Sequence, residues 1–257
     1  MRIDGKVVLI TGASEGLGEA CAAEFARSGA RLSLAARSAE GLRRAGGPDA
    51  LVTAGDLTLE SARQAAVERT LERFGRIDIL INNAGMGLYR PSWTTPMDEA
   101  RRLWELNFFA ALGMVQLAAP HMRARRSGTI VNVSSVAGKF TLPWLPLYSA
   151  SKQALGSWTE SLRMELRNDG IHAMLVCPGY VGTGFQRHAM GDGPPPKISD
   201  GKRFAITPQN CAMAIRRGVE RNARTVMAPR SGWLLVAAAT LFPGLVEAGL
   251  AKLNGTA

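Results

Sequence analysis

The stretch Lys6-Val7-Val8-Leu9-Ile10-Thr11 runs without a break into Gly12-Ala13-Ser14-Glu15-Gly16-Leu17-Gly18. Its first six residues are an apolar run closed off by Thr11-Gly12, the pattern of a strand buried on both faces of a parallel sheet. The glycines let the backbone turn tightly, and an amphipathic pattern from residue 17 predicts a helix directly afterwards. A helix N-terminus offers free N–H groups and a partial positive charge, so strand, glycine turn and helix in this order make a cradle for a pyrophosphate. The spacing is G-x-x-x-G-x-G, and its place at the head of a strand–helix–strand unit gives it weight. Gly12, Ser14, Glu15, Gly16, Leu17 and Gly18 are the binding candidates of this turn.

Outward from the turn, apolar runs at 6–11, 31–36, 50–54, 77–82, 129–133 and 172–177 alternate with helical patterns at 17–28, 61–74, 98–126 and 149–168. Strands separated by helices predict right-handed crossovers and an α/β fold: a doubly wound, Rossmann-type parallel sheet with helices on both faces. Ligands of such sheets bind beyond the carboxyl ends of the strands. One domain is expected over 1–257, with a cofactor-binding and catalytic core at 1–185 and a C-terminal apolar helical extension at 208–257. Between them the irregular segment 186–207, which holds Gly191-Asp192-Gly193-Pro194-Pro195-Pro196, is expected to be a substrate lid.

The second strand ends in Leu34-Ala35-Ala36-Arg37-Ser38. An acid at this place accepts the ribose 2′-hydroxyl of NAD, whereas an arginine accommodates a 2′-phosphate. Arg37, with Ser38 as a second donor, therefore favours NADP(H); Glu15 in the phosphate turn pulls toward NAD(H). Further on, Tyr148-Ser149-Ala150-Ser151-Lys152 sets a phenol and an ammonium four residues apart on one helix face. A tyrosine with its ordinary pKa of about 10 is a poor acid–base group near neutrality. An ammonium about 4 Å away is worth roughly 4 kcal/mol at an effective dielectric of 20, enough to lower the phenol by at most about three units.

Taken together, these pieces resemble the short-chain dehydrogenase/reductase family over about residues 5–185. The glycine turn matches Gly12, Gly16 and Gly18, and the acid near the adenine matches Asp56, followed by Leu57. The motif after the fourth strand is whole as Asn82-Asn83-Ala84-Gly85, the helical asparagine matches Asn107, and Pro178-Gly179-Tyr180-Val181-Gly182-Thr183 matches the loop beside the nicotinamide. The serine thirteen residues before the tyrosine is Ser135, not Ser134. The resemblance implies a catalytic set of Asn107, Ser135, Tyr148 and Lys152. In it Tyr148 exchanges a proton with the reacting oxygen, Ser135 hydrogen-bonds that oxygen, Lys152 lowers the phenol's pKa and holds a ribose, and Asn107 positions a water. It also implies cofactor contacts by Asn83, Ala84, Gly85, Pro178, Gly179, Val181 and Thr183. The reaction implied is hydride transfer between NADP(H) and a small-molecule carbonyl or secondary alcohol, with an NAD-preferring alcohol dehydrogenase as the alternative. A homo-oligomer, dimer or tetramer, is expected.

The chain's 257 residues, 46% hydrophobic and 20% charged, exclude a disordered or fibrous protein. The net charge of +10 comes from 25 arginines and only six lysines, spread along the helices with no interleaved aromatic stripe, so nucleic acid is not expected as a partner. A non-catalytic basic member of the fold is disfavoured by the joint presence of serine, tyrosine, lysine and asparagine. Cys21, Cys177 and Cys211 are far apart and form no C-x-x-C, which fits a reducing, cytoplasmic compartment; the scattered histidines predict no metal site. No targeting segment is expected before the first strand. Phe108, Phe109 and Trp158 read as core. From 232 to 246 no residue is charged, but Pro243 interrupts a segment already short of the roughly 20 residues of a span. This tail reads as a core or interface helix, or as a peripheral membrane contact aided by Arg216, Arg217, Arg221 and Arg224. It is similar to family members that act on lipophilic carbonyls.

Overall fold

The computed structural model describes residues 1–195 and 205–254. Seven parallel strands form the main sheet in the order β3-β2-β1-β4-β6-β7-β9, with β1 Val7–Thr11, β2 Arg31–Ala36, β3 Leu51–Ala54, β4 Ile79–Asn82, β6 Gly128–Val133, β7 Ile171–Pro178 and β9 Thr225–Ala228. Strand order reverses between β1 and β4, which opens a crevice at the carboxyl ends.

Alternation along the strands divides the core. Val8, Ile10, Ile79 and Ile81 face helices α1 (Gly16–Arg27), α2 (Ala39–Gly46) and α7 (Pro208–Glu220), where Phe25, Leu42 and Ile215 are fully buried. Leu9 and Leu80 face the opposite way, onto α3 (Glu60–Phe74), α5 (Ala110–Ala124) and α6 (Pro146–Glu165) through Val67, Met114 and Leu162. The doubly wound sheet expected from the sequence is the one found.

Several elements differ from expectation. Helix α2 is not visible in the apolar pattern because it has only eight residues and carries Gly41 and Gly46, poor helix formers. The pattern at 98–126 is not one helix: α4 (Met97–Trp104) and α5 are joined by a π-helical turn, Glu105–Phe109, that turns Asn107 inward. Beside the main sheet, β5 (Leu88–Tyr89) pairs in parallel with β8 (Met190–Gly191). That pair ties the start of the expected lid to the loop after β4; residues 196–204 of the lid lie outside the described residues. Phe109 is not core but exposed, in edge contact with Phe108, which also meets Trp104 and Trp158.

The tail forms two helices, α8 (Gly232–Leu241) and α9 (Pro243–Asn254), bent by 115° at the break before Pro243. No single helix among the described residues is long and apolar enough to cross a membrane. The tail is not core either: Leu234 is 74% exposed and Leu245 76%. Of the four arginines expected to aid a membrane contact, one is already engaged. Arg216 is ion-paired with Glu24 at 2.7 Å and Glu220 at 2.6 Å.

Candidate active site

The carboxyl ends of β1–β3 on one side and of β4, β6 and β7 on the other border a single cavity of about 760 Å³. Of the residues singled out in the sequence, Gly12, Ser14, Glu15, Gly16, Leu17, Arg37, Ser38, Asp56, Leu57, Asn83, Ala84, Gly85, Ser135, Tyr148, Lys152, Pro178, Gly179, Val181 and Thr183 all line it. Gly18 and Asn107 do not. A Cβ on Gly18 would collide with the Gly12 carbonyl, so this glycine serves the close packing of α1 beneath the turn.

The turn is held from behind by β4. The Asn83 amide donates to the carbonyls of Thr11 and Gly12, both at 3.1 Å, while the Thr11 hydroxyl accepts the N–H groups of Asn83 and Ala84. The Asn83 side chain therefore acts on the turn. Asp56 accepts two hydrogen bonds from Thr58, on its N–H and its hydroxyl. These bonds, the backbone one foremost, hold its carboxyl below the usual range, so it is an anion and an acceptor. Ser38 caps α2 by accepting the Gly41 N–H, which leaves its hydroxyl proton free to donate. Glu15 lines the cavity beside His188, 3.4 Å distant in the 3₁₀ turn Gly184–His188.

At the other end, β6 delivers Ser135 and the first turns of α6 deliver Tyr148 and Lys152. All three are buried. Ser134 donates to the Lys152 carbonyl, whereas Ser135 Oγ accepts the Ala137 N–H at 3.1 Å and lies near enough to Tyr148 to pull its pKa down. Lys152 Nζ donates to the Val133 carbonyl at 3.0 Å and lies 5.8 Å from the centre of the Tyr148 ring. The expected lowering of the phenol is absent from this geometry. Burial pushes Tyr148 up to about 12, against the pull of Ser135, and pushes Lys152 down to about 8. Desolvation outweighs a charge that sits over the ring rather than beside the hydroxyl. Lys152 keeps two N–H donors without a protein acceptor among the described residues. A Cβ on Gly85 would stand 3.2 Å from Nζ and 3.1 Å from Asn107 Oδ1, so the missing side chain keeps open the space beside the ammonium. The Asn107 side chain is held by protein groups: its Oδ1 accepts from Met86 N–H, and its Nδ2 donates to the Met86 carbonyl and to Ser151. It braces the wall behind Lys152.

Sequence reasoning missed the wall beside Tyr148. Met86, Phe140, Leu142, Trp144, Leu145 and Phe185 line it, with Tyr89, Tyr180 and Gln186 as polar members. Met86 and the 140–145 loop follow strands and were open to the carboxyl-end rule. Tyr89 gave no signal, because β5 is only two residues long.

A glycine turn at a helix N-terminus and a buried serine, tyrosine and lysine share one cleft. Residues 6–192 match the short chain dehydrogenase family. The chain belongs to that family. It is 36% identical to a dehydrogenase/reductase SDR family protein 7-like of Anopheles gambiae, over 99% of this chain and 86% of that protein. Among solved structures, a short-chain dehydrogenase/reductase from Burkholderia phymatum in complex with NAD superposes with a TM-score of 0.87 at 26% identity, covering 95% of this chain and 96% of that one. A short chain dehydrogenase from Burkholderia cenocepacia J2315 in complex with NADP gives 0.82 at 28% identity, covering 97% and 99%. The structural neighbours thus include both nicotinamide dinucleotides.

Proposed function

We propose that this oxidoreductase uses NADP(H) to interconvert a lipophilic carbonyl compound and its secondary alcohol. The observation that carries the reading is the continuity of one cavity from Arg37 and the glycine turn to the buried Ser135–Tyr148–Lys152 group. The bound nicotinamide supplies or takes the hydride. In reduction, the Tyr148 hydroxyl donates a proton to the carbonyl oxygen; in oxidation, its oxygen takes one from the alcohol. Ser135 hydrogen-bonds the same oxygen where charge develops. Lys152 holds ribose hydroxyls with its two remaining N–H donors and, once those fix it, favours the ionised phenol. Asn107 braces Met86, and Gly85 leaves room for the ribose. Asp56 accepts from the adenine, and Arg37 with Ser38 meets the 2′-phosphate. Glu15 and Glu40 at the same end are the observation that favours the NAD(H) alternative.

The substrate class follows from the wall of Phe140, Leu142, Trp144, Leu145 and Phe185. Leu250 of α9 packs against the cluster that contains Tyr148 and Trp144, which supports this wall from behind. The tail's outer side, with Leu234, Leu235, Leu241, Phe242 and Leu245 exposed, is a surface for peripheral contact with a membrane that stores such substrates. The aromatic group around Phe109 is the face on which a homo-oligomer forms. A reducing compartment suits the three buried, unpaired cysteines. The test is oxidation of NADPH and NADH against lipophilic and small polar carbonyls: faster turnover with NADPH and with lipophilic ketones is expected, and a preference for NADH or for polar carbonyls overturns the corresponding half of the reading.

A further inference from the structure

Arg37 is one cation, whereas a ribose 2′-phosphate brings a charge near −2 at neutral pH. The chain carries a second cation at this end of the cavity. Arg44, in the last turn of α2, lines it together with Arg37 and Ser38. It reaches over the phosphate turn, where Nη2 donates to the Ser14 carbonyl at 3.1 Å and Nε faces Glu19 at 3.4 Å. Of its five N–H donors, those on Nη1 and the second on Nη2 have no protein acceptor among the described residues.

The local sequence explains how a residue seven positions past Arg37 returns to the turn. Ser38 caps α2 and fixes its start. A Cβ on Gly41 would stand 2.8 Å from the Ser14 carbonyl oxygen, so only glycine lets the helix lie this close to the turn. Arg44 is three residues further on, on the same helix face. Acids stand at this end as well: Glu15 lies 3.4 Å from His188, Glu19 pairs with Arg44 Nε, and Glu40 and the Asp56 carboxylate line the same cavity, so the two arginines are cations that offset them here.

We propose that Arg44 is a third ligand of the 2′-phosphate, beside Arg37 and Ser38, and so a determinant of cofactor choice. This rests on the NADP(H) reading above and deepens it. The experiment is calorimetric binding to the resting protein of NADPH, NADH, 2′,5′-ADP and 5′-AMP, for wild type, Arg44→Ala, Arg44→Lys and Arg37→Ala at fixed ionic strength. Loss of one charge-assisted contact is expected to weaken NADPH and 2′,5′-ADP about tenfold in Arg44→Ala, with NADH and 5′-AMP within about twofold of wild type. Arg44→Lys recovers part of the loss, because the charge stays and the fork is lost. Equal weakening of all four ligands overturns the proposal and makes Arg44 a support of the Ser14 turn only; unchanged NADPH binding overturns it as well. In either case a selective loss in Arg37→Ala leaves the cofactor reading intact. Wild type binding NADH as tightly as NADPH, with Arg37→Ala silent, brings that reading down and Arg44 with it.

Discussion

The start of α6 and the elbow of α8 and α9 break the usual rule of residue placement in opposite directions. At α6 a lysine and a tyrosine are 3% and 8% exposed; at the elbow leucines stand three-quarters in solvent. Buried charge and exposed apolar surface are the two observations about burial that carry information, since exposed charge and buried leucine need no explanation. Here they adjoin, because Leu250 of the elbow packs on the cluster that contains Tyr148. The difference lies in what offsets each cost. The polar group is fixed by protein partners, with Ser135 on Tyr148 and Val133 on Lys152. The elbow's outer leucines are left exposed among the described residues, and the contact proposed for that side lies outside the chain.

The comparison can be broken at its polar half first. Lys152→Ala removes one donor set that serves both ribose and phenol, so turnover is expected to fall by about 10³-fold or more while NADPH binding weakens in parallel. A loss confined to KM would separate the lysine from the chemistry. Asn83→Ala leaves the carbonyls of Thr11 and Gly12 without their donor and should raise the cofactor Kd about tenfold with little change in kcat. A fall in kcat alone would place Asn83 at the reacting end rather than behind the turn.

At the elbow, inner and outer leucines should part company. Leu250→Ala is expected to raise KM for lipophilic ketones about fivefold and leave small polar carbonyls unchanged, roughly the effect of one lost apolar contact of about 1 kcal/mol. Leu234→Ser and Leu245→Ser should abolish flotation with lipid vesicles while shifting Tm by little, since surface substitutions usually stay within about 0.5 kcal/mol. Unfolding of either variant would show the outer face to be core. Retained flotation would remove the membrane from the account.

A separate effect is on stability. Burial lowers Lys152 from its ordinary value of 10.5 to about 8 in the fold. Between these values the folded chain binds fewer protons than the unfolded one, so stability rises with pH across that window, and the cost of the buried ammonium is fully present below pH 8. Lys152→Met should therefore melt above wild type at pH 7, by up to about 3 kcal/mol, and the margin should shrink toward pH 10.5. A margin independent of pH would point to packing instead.

What could be read from the sequence was what depends on near neighbours: strand runs such as Val7–Thr11, the glycine turn, and the helical spacing of Tyr148 and Lys152. What could not was set by tertiary placement. Arg216 stands near the tail in sequence, but its guanidinium is taken by Glu24 and Glu220. Tyr148 and Lys152 share a helix face, yet depth of burial decides the charge balance. Asn83 and Asn107 were identified as residues that matter, but their bonds run to Thr11, Gly12 and Met86, partners that no spacing rule supplies.

The central claim is that Tyr148 exchanges the proton of the reaction while other groups hold the cofactor. It is tested most directly by Tyr148→Phe, measured in two channels: NADPH binding by fluorescence and single-turnover oxidation of bound NADPH by a lipophilic ketone. The account predicts a Kd within about twofold of wild type and a rate lower by roughly 10²–10⁴, the usual contribution of a positioned acid. A rate near that of wild type would contradict it.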